Sequence, residues 1–143
     1  MPSDLVNPKE LRKIAAEQAM KSVDEALAQK KHAEEEARQV HLAFLERDIH
    51  PDVKNRVSTA VRRAAERGEH QVLALQFPSD WCTDRGRAIN NFEESWPSTL
   101  TGFAKRAYEY FEKELRPLGY GVRAEVLNFP GGMPGDIGMY LTW

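Results

Sequence analysis

Apolar residues recur every three or four positions along the first part of the chain, from Asn7 to about Arg47. After Pro8 this stretch contains neither glycine nor proline, and it is rich in alanine, glutamate, lysine, arginine and glutamine, which favour helices. Asn7 followed by Pro8 is typical of a helix start, with a capping side chain and then proline at the first helical position. The pattern therefore predicts one helix of about 60 Å, at about 1.5 Å per residue.

The apolar positions of this helix form an alanine stripe whose alternating three- and four-residue steps are typical of a coiled coil. The stripe comprises Ala16, Ala19, Val23, Ala26, Lys30, Ala33, Ala37, Val40 and Phe44, with Lys30 as its one misfit. We interpret it as a self-association surface that gives a homodimer or a higher oligomer. The predicted contact residues are Ala19, Val23, Ala26, Ala33, Ala37, Val40 and Phe44. The alternative is a single helix packed along its own domain.

A second helix is predicted from about Pro51 to Arg67, between a proline break after Asp48 and a glycine stop at Gly68. Its apolar positions are Val53, Val57, Ala60, Val61 and Ala64. The rest of its surface is basic, with Lys54, Arg56, Arg62, Arg63 and Arg67. A basic helix can contact phosphates, but no aromatic residues are interleaved with these cations. We therefore interpret this surface as a solvated face and do not expect a nucleic-acid partner.

Alternating residues from His70 to Phe77 predict a first strand, with Leu73, Leu75 and Phe77 on one face. Pro78 ends it, and we expect a loop with a short helix capped by Thr83. A third main helix is predicted from Ser95-Trp96-Pro97 to the residue before Pro117. One of its faces carries Leu100, Phe103, Ala104, Ala107, Phe111 and Leu115.

The last stretch of the chain, Leu118 to Trp143, reads as two alternating strands joined by a loop rich in glycine and proline. The apolar positions are Tyr120, Val122, Ala124 and Val126 in one strand, then Ile137, Met139, Leu141 and Trp143 in the other. Phe129 to Asp136 forms the connection, because its prolines cannot donate to a ladder and its glycines allow positive φ. Trp143 is expected to anchor the core.

These elements predict an α+β protein. A long, coiled-coil-like helical arm, residues 1–49, precedes a compact α-β-α-β-β module, residues 50–143. A strand-helix-strand unit places its two strands parallel, and the last strand then adds antiparallel. We therefore expect a three-stranded mixed sheet with helices covering one face.

Composition limits the partners and the cell compartment that we expect for this protein. The chain has 143 residues and a formal net charge of −2, with an isoelectric point near 6.1, so the overall charge does not favour nucleic acid or an anionic membrane. No apolar run approaches the roughly 18 residues of a spanning helix, and the N-terminus lacks a signal-peptide pattern. Cys82 is the only cysteine, which excludes an internal disulfide and fits a reducing compartment. We predict a cytoplasmic protein without a membrane partner.

Three short segments of the predicted module resemble a helix-strand-helix-strand-strand module of phage and giant-virus proteins. They are Ala64-Ala65-Glu66-Arg67-Gly68, Leu118-Gly119-Tyr120-Gly121-Val122 and Leu141-Thr142-Trp143. The resemblance covers about residues 51–143, although the segment from Pro78 to Trp96 and the last hairpin loop are larger than the usual turns. It implies a fold and a phage-derived or particle-associated setting. It assigns no catalytic residue.

A candidate ligand site follows from the predicted topology. If the first two strands are parallel, the loops formed by residues 78–91 and 129–136 share one sheet edge, where ligands of open α/β sheets tend to bind. The candidate residues are His50, Asp80, Cys82, Asp84, Arg85, Arg87, Asn90, Asn91, Asn128 and Asp136. Arginines beside asparagines and glycines suit an anionic group. The alternative, which we favour, is that the two loops simply pack on each other.

Catalytic chemistry has little support in the sequence. His50 is the only plausible partner for Cys82, since His70 begins the first strand about 20 Å from its other end. No metal-ligand motif or phosphate-binding loop is present, and we assign no catalytic residue, metal or cofactor. The sequence predicts a non-enzymatic, self-associating structural or interaction protein. The alternative is an anionic-ligand or enzymatic site at the loop edge.

Overall fold

The computed structural model describes residues 5–143 and confirms the α+β class. The described part of the chain divides between Leu42 and Ala43 into two compact units. The helices are α1 (Pro8–Glu46), α2 (Val53–Glu66), the short α3 (Arg87–Asn90) and α4 (Gly102–Tyr110). The strands are β1 (Gln71–Pro78), β2 (Gly121–Val126) and β3 (Asp136–Thr142).

The long N-terminal helix is confirmed, together with its predicted start. The Asn7 side-chain Oδ1 accepts a hydrogen bond of 2.9 Å from the backbone N–H of Glu10, which satisfies one of the free donors of the first turn. Every residue from Leu5 to Val40 is exposed. Within residues 5–143, no helix combines the length and apolarity needed to cross a bilayer.

The second unit begins inside α1, earlier than the predicted boundary between residues 49 and 50. Phe44 is buried in the core of this unit, and Leu45 packs against the same core. The last turn of the helix therefore belongs to the α/β unit, because its apolar side chains are needed to fill that core.

The sheet is antiparallel throughout, so the prediction of a mixed sheet is wrong. The strand order is β1-β3-β2, and β3 pairs antiparallel with both neighbours. β1 and β2 still run in the same direction, but they are separated by β3. The physical reason is burial: Ile137, Met139 and Leu141 of β3 are all buried, which suits the central position.

A β-bulge at Ala74 changes which side chains of β1 face the core. Leu73 pairs with Tyr140, whereas Leu75 pairs with Met139, so the register shifts between them. The extra residue reverses the alternation, and Leu73 lies on the opposite face from Leu75 and Phe77. The prediction that all three share one face is therefore wrong for Leu73.

The third main helix begins later than predicted. Residues Trp96–Thr99 form a separate 3₁₀ turn, Thr101 is extended, and α4 starts at Gly102 with a φ of +53°. The helix then continues as a π-helical turn over Phe111–Leu115 and a 3₁₀ turn over Arg116–Leu118. It ends at Gly119, whose φ of +103° fits the predicted left-handed position.

The core lies on the face of the sheet that carries Ile137 and Met139, where Phe44, Phe77, Ile89, Leu100 and Phe111 join them. Trp143 is not part of it, contrary to prediction. Its side chain is 38% exposed and meets Tyr120 edge-on at 6.4 Å between ring centroids. Because Trp143 lies one residue beyond the last sheet pair, at Thr142, it leaves the region that the core covers.

Candidate functional site

The two loops that the sequence placed at one sheet edge are neighbours. The strand ends meet there, since Pro78 pairs with Asp136 and Val126 pairs with Ile137. The Ser79 N–H donates to Gly135 O at 2.8 Å, and its hydroxyl donates to Pro134 O at 2.8 Å. Ser79 is buried, so these bonds join the loops inside the protein.

The acidic and amide side chains of this edge stabilise the loops themselves. Asp84 accepts hydrogen bonds from the backbone N–H groups of Gly86 at 3.0 Å and Ala88 at 2.8 Å, and so satisfies free donors at the start of α3. Thr83, the predicted cap, is exposed. Asn128 Oδ1 accepts from the Asp136 N–H at 3.0 Å. These groups have structural partners and do not form an open set of ligand donors.

The remaining polar candidates of the edge lie on its outside. Asp80, Arg85, Arg87, Asn90 and Asn91 are all exposed. No ion pair involves Asp80, Arg85 or Arg87 within residues 5–143. The structure therefore does not gather these side chains into a built anion site.

His50 is exposed, and its contacts are local. Its Nδ1 accepts a hydrogen bond of 2.9 Å from the Asp52 N–H, at the turn that leads into α2. The structure thus gives His50 a role in starting this helix. Within residues 5–143, no group of three or more His, Cys, Asp or Glu side chains is arranged to hold a metal ion.

Cys82 is buried, with 5% of its surface exposed. Burial is the main cause that raises the pKa of its thiol to about 11, and the nearby Asp84 carboxylate acts in the same direction. A hydrogen bond with the Thr99 side chain opposes this shift only in part. A buried thiol with a raised pKa is a poor nucleophile, because the thiolate is the reactive form.

We expect Cys82 in the folded protein to react with a thiol reagent at pH 8 at least about 100-fold more slowly than in the urea-unfolded chain, because burial and the raised pKa both suppress the thiolate. Absorbance-monitored labelling in buffer and in urea measures both rates. Equal rates in the two conditions would show that the thiol is accessible and reactive in the native state.

The alanine stripe of α1 is exposed from Ala16 to Val40. Val23 and Val40 are each more than half exposed, as are Met20 and Leu27 beside them. An exposed contact between His32 and Glu36 and an exposed ion pair between Arg38 and Glu35 lie outside the stripe. Exposed pairs of this kind contribute little stability. The apolar positions are therefore the side chains of this helix that could stabilise a contact with another chain.

Phe44, the last residue predicted for this surface, has a different role. It is 8% exposed, and its ring lies 5.6 Å from that of Phe77 and 4.5 Å from that of Trp81, between centroids. A side chain buried in its own core cannot contact a partner helix, so the contact prediction is wrong for Phe44. The stripe that can meet another chain therefore ends at Val40.

A cavity that the sequence did not predict lies between α2, α4 and the sheet. It measures about 160 Å³ and is lined mainly by apolar side chains, including those of Val53, Val57, Leu75, Ala107, Val122 and Leu141. The small residues Ala74 and Ala107 at apolar positions are the one sequence signal that could have indicated unfilled space here.

Comparisons with protein-family models, with curated proteins and with solved structures found no match to this chain. The resemblance to the phage and giant-virus module therefore stays a prediction from its short motifs.

Proposed function

We propose that this protein is a non-enzymatic interaction protein that self-associates through the alanine stripe of α1. The observation that supports it is that the apolar positions at coiled-coil spacing, interrupted once by Lys30, are all exposed from Ala16 to Val40. The contact residues are Ala19, Val23, Ala26, Ala33, Ala37 and Val40. Such a stripe gains stability by packing against a second helix, which removes apolar surface from water at about 25 cal/mol per Å².

The alanines determine the expected character of this association. Small side chains let two helix backbones approach closely, but each layer buries little area, so the affinity is expected to be moderate. Lys30 interrupts the stripe near its middle. A polar residue at one core position of a coiled coil selects register and oligomer state while it lowers stability. We therefore expect one preferred assembly rather than open-ended association.

The resemblance to the phage and giant-virus module favours a particle-associated setting for this assembly. The single cysteine fits a reducing compartment such as the cytoplasm. An anionic-ligand site at the loop edge is less well supported, because Asp84, Asn128 and Asp136 already bond within the loops.

Replacing Ala26 and Ala33 together with glutamate is expected to raise the dissociation constant of the oligomer by at least about 100-fold. Each glutamate would place a charge between packed helices and so weaken the association. The helix itself should be kept, because glutamate is a good helix former. Sedimentation velocity over a range of protein concentrations measures the change, and circular dichroism checks that helix content is kept.

The matched control carries Gln18→Glu and Ala28→Glu in the same full-length chain. These changes add the same two charges to exposed positions of α1 that lie outside the stripe. The control is expected to associate like the natural protein. If both double variants weakened association equally, net charge rather than the stripe would be responsible, and the proposed surface would be wrong.

A further inference from the structure

The cavity between α2, α4 and the sheet has the properties of a small-molecule site. Its volume is about 160 Å³, and its walls come from α2, from α4 and its continuation, and from all three strands. Val57, Ala107 and Val122 line it, and each of them is only partly buried. Apolar cavities of about 150 Å³ stay dry and accept a guest of the size of benzene. The space therefore suits one aromatic ring or a short branched chain.

Two backbone irregularities border this cavity. Ala74, the bulged residue of β1, contributes to its lining. On the opposite side, α4 changes to a π-helical turn at Phe111, and both Phe111 and Leu115 of that turn line the cavity. π-helical turns and β-bulges occur frequently next to functional sites, where they redirect side chains. Here the β-bulge and the π-helical turn line the same cavity.

One side of the cavity adjoins a groove of about 340 Å³, since Val57, Tyr110 and Leu115 line both. The groove adds Lys54 and Glu114, so the apolar space has a polar mouth. Burial, and then the Glu114 carboxylate, raise the pKa of Tyr110, so its hydroxyl stays a donor at neutral pH. A cation and a carboxylate together suit a neutral polar group better than a fully charged one.

We propose that this cavity binds a small, mainly apolar molecule with one neutral hydrogen-bonding group, of the size of a simple phenol. The apolar part lies among Val57, Ala107 and Val122, and the polar group lies at the mouth beside Tyr110 and Lys54. This binding is separate from self-association, because none of these residues belongs to α1.

The test uses p-cresol as the probe and isothermal titration calorimetry on the full chain. We expect a dissociation constant on the order of 0.1 to 1 mM, which is typical for a ligand of this size. Ala107→Leu should fill the cavity and weaken binding by at least tenfold. Ala65→Leu is the matched control, because Ala65 is an exposed residue of α2 that does not line the cavity.

A second measurement on the natural protein keeps the proposal testable if Ala107→Leu does not fold. In methyl-labelled protein, p-cresol should shift the NMR signals of Val57, Leu115 and Val122 and leave that of Leu27 in place. The absence of saturable binding would overturn the proposal. Equal binding by both leucine variants, or shifts outside the cavity only, would overturn it as well.

Discussion

Replacing Phe44 with alanine is expected to lower the free energy of unfolding by about 4 kcal/mol. The Phe44 ring is 8% exposed and packs against Phe77 and Trp81, so its removal leaves space that the aromatic neighbours cannot fill without moving. Urea unfolding followed by tryptophan fluorescence measures the change. Protein concentration must be held constant, because association would contribute to apparent stability.

Leu42→Ala is the control for this prediction. Leu42 lies in the same helix two residues earlier, but its side chain is 41% exposed. Alanine is a better helix former than leucine, so we expect a loss below about 1 kcal/mol. Similar losses in the two variants would contradict the conclusion that the end of α1 is part of the α/β core.

Gly102→Ala is expected to destabilise the protein by about 3 kcal/mol. Gly102 has a φ of +53°, which disfavours any side chain, and it packs against the backbone of α1. An added Cβ would lie 2.9 Å from both Leu45 Cα and Phe44 O. Backbone atoms cannot rotate away as a side chain can, so the helix end would have to move. Urea unfolding again provides the measurement.

Gly68→Ala separates the two causes of this effect. Gly68 also has a positive φ, of +77°, but a Cβ there would meet nothing within 4 Å. In Gly68→Ala the free energy of unfolding should therefore fall only by the cost of a side chain at positive φ, about 1 kcal/mol. If the two alanine variants lost equal stability, the close approach between α4 and the end of α1 would not be an important constraint.

The helices and strands that depend on local signals were predicted well. Asn7 and Pro8 identified the start of α1, and Gly119 identified the end of the helical segment before β2. In each case the residue type itself satisfies a local backbone requirement, namely a free N–H or a positive φ. Such requirements do not depend on distant parts of the chain.

Several features that depend on distant contacts were not predicted. Hydrophobic alternation could not show that β3 lies between β1 and β2, because a strand in either position buries one face. The bulge at Ala74 reversed the face of Leu73, which a period of two cannot anticipate. Phe44 continued the alanine stripe in sequence, yet the core of the second unit took it up.

The candidate site at the loop edge was also predicted only in part. The sequence placed the two loops at one edge, but it could not show that Asp84, Asn128 and Asp136 would be used for hydrogen bonds within those loops. The cavity beside α2 was missed because it results from three elements packing around small residues. Only the packed structure reveals that the side chains leave this space between them.

Sedimentation equilibrium of the natural full-length chain, in reducing buffer, tests self-association most directly. We expect a mass that is a whole multiple of 16.3 kDa and that falls toward 16.3 kDa on dilution. The reducing buffer excludes a disulfide between Cys82 residues as the cause. A mass of 16.3 kDa at every concentration up to about 100 μM would show that the protein does not self-associate through α1, because a functional coiled-coil contact should form well below that concentration.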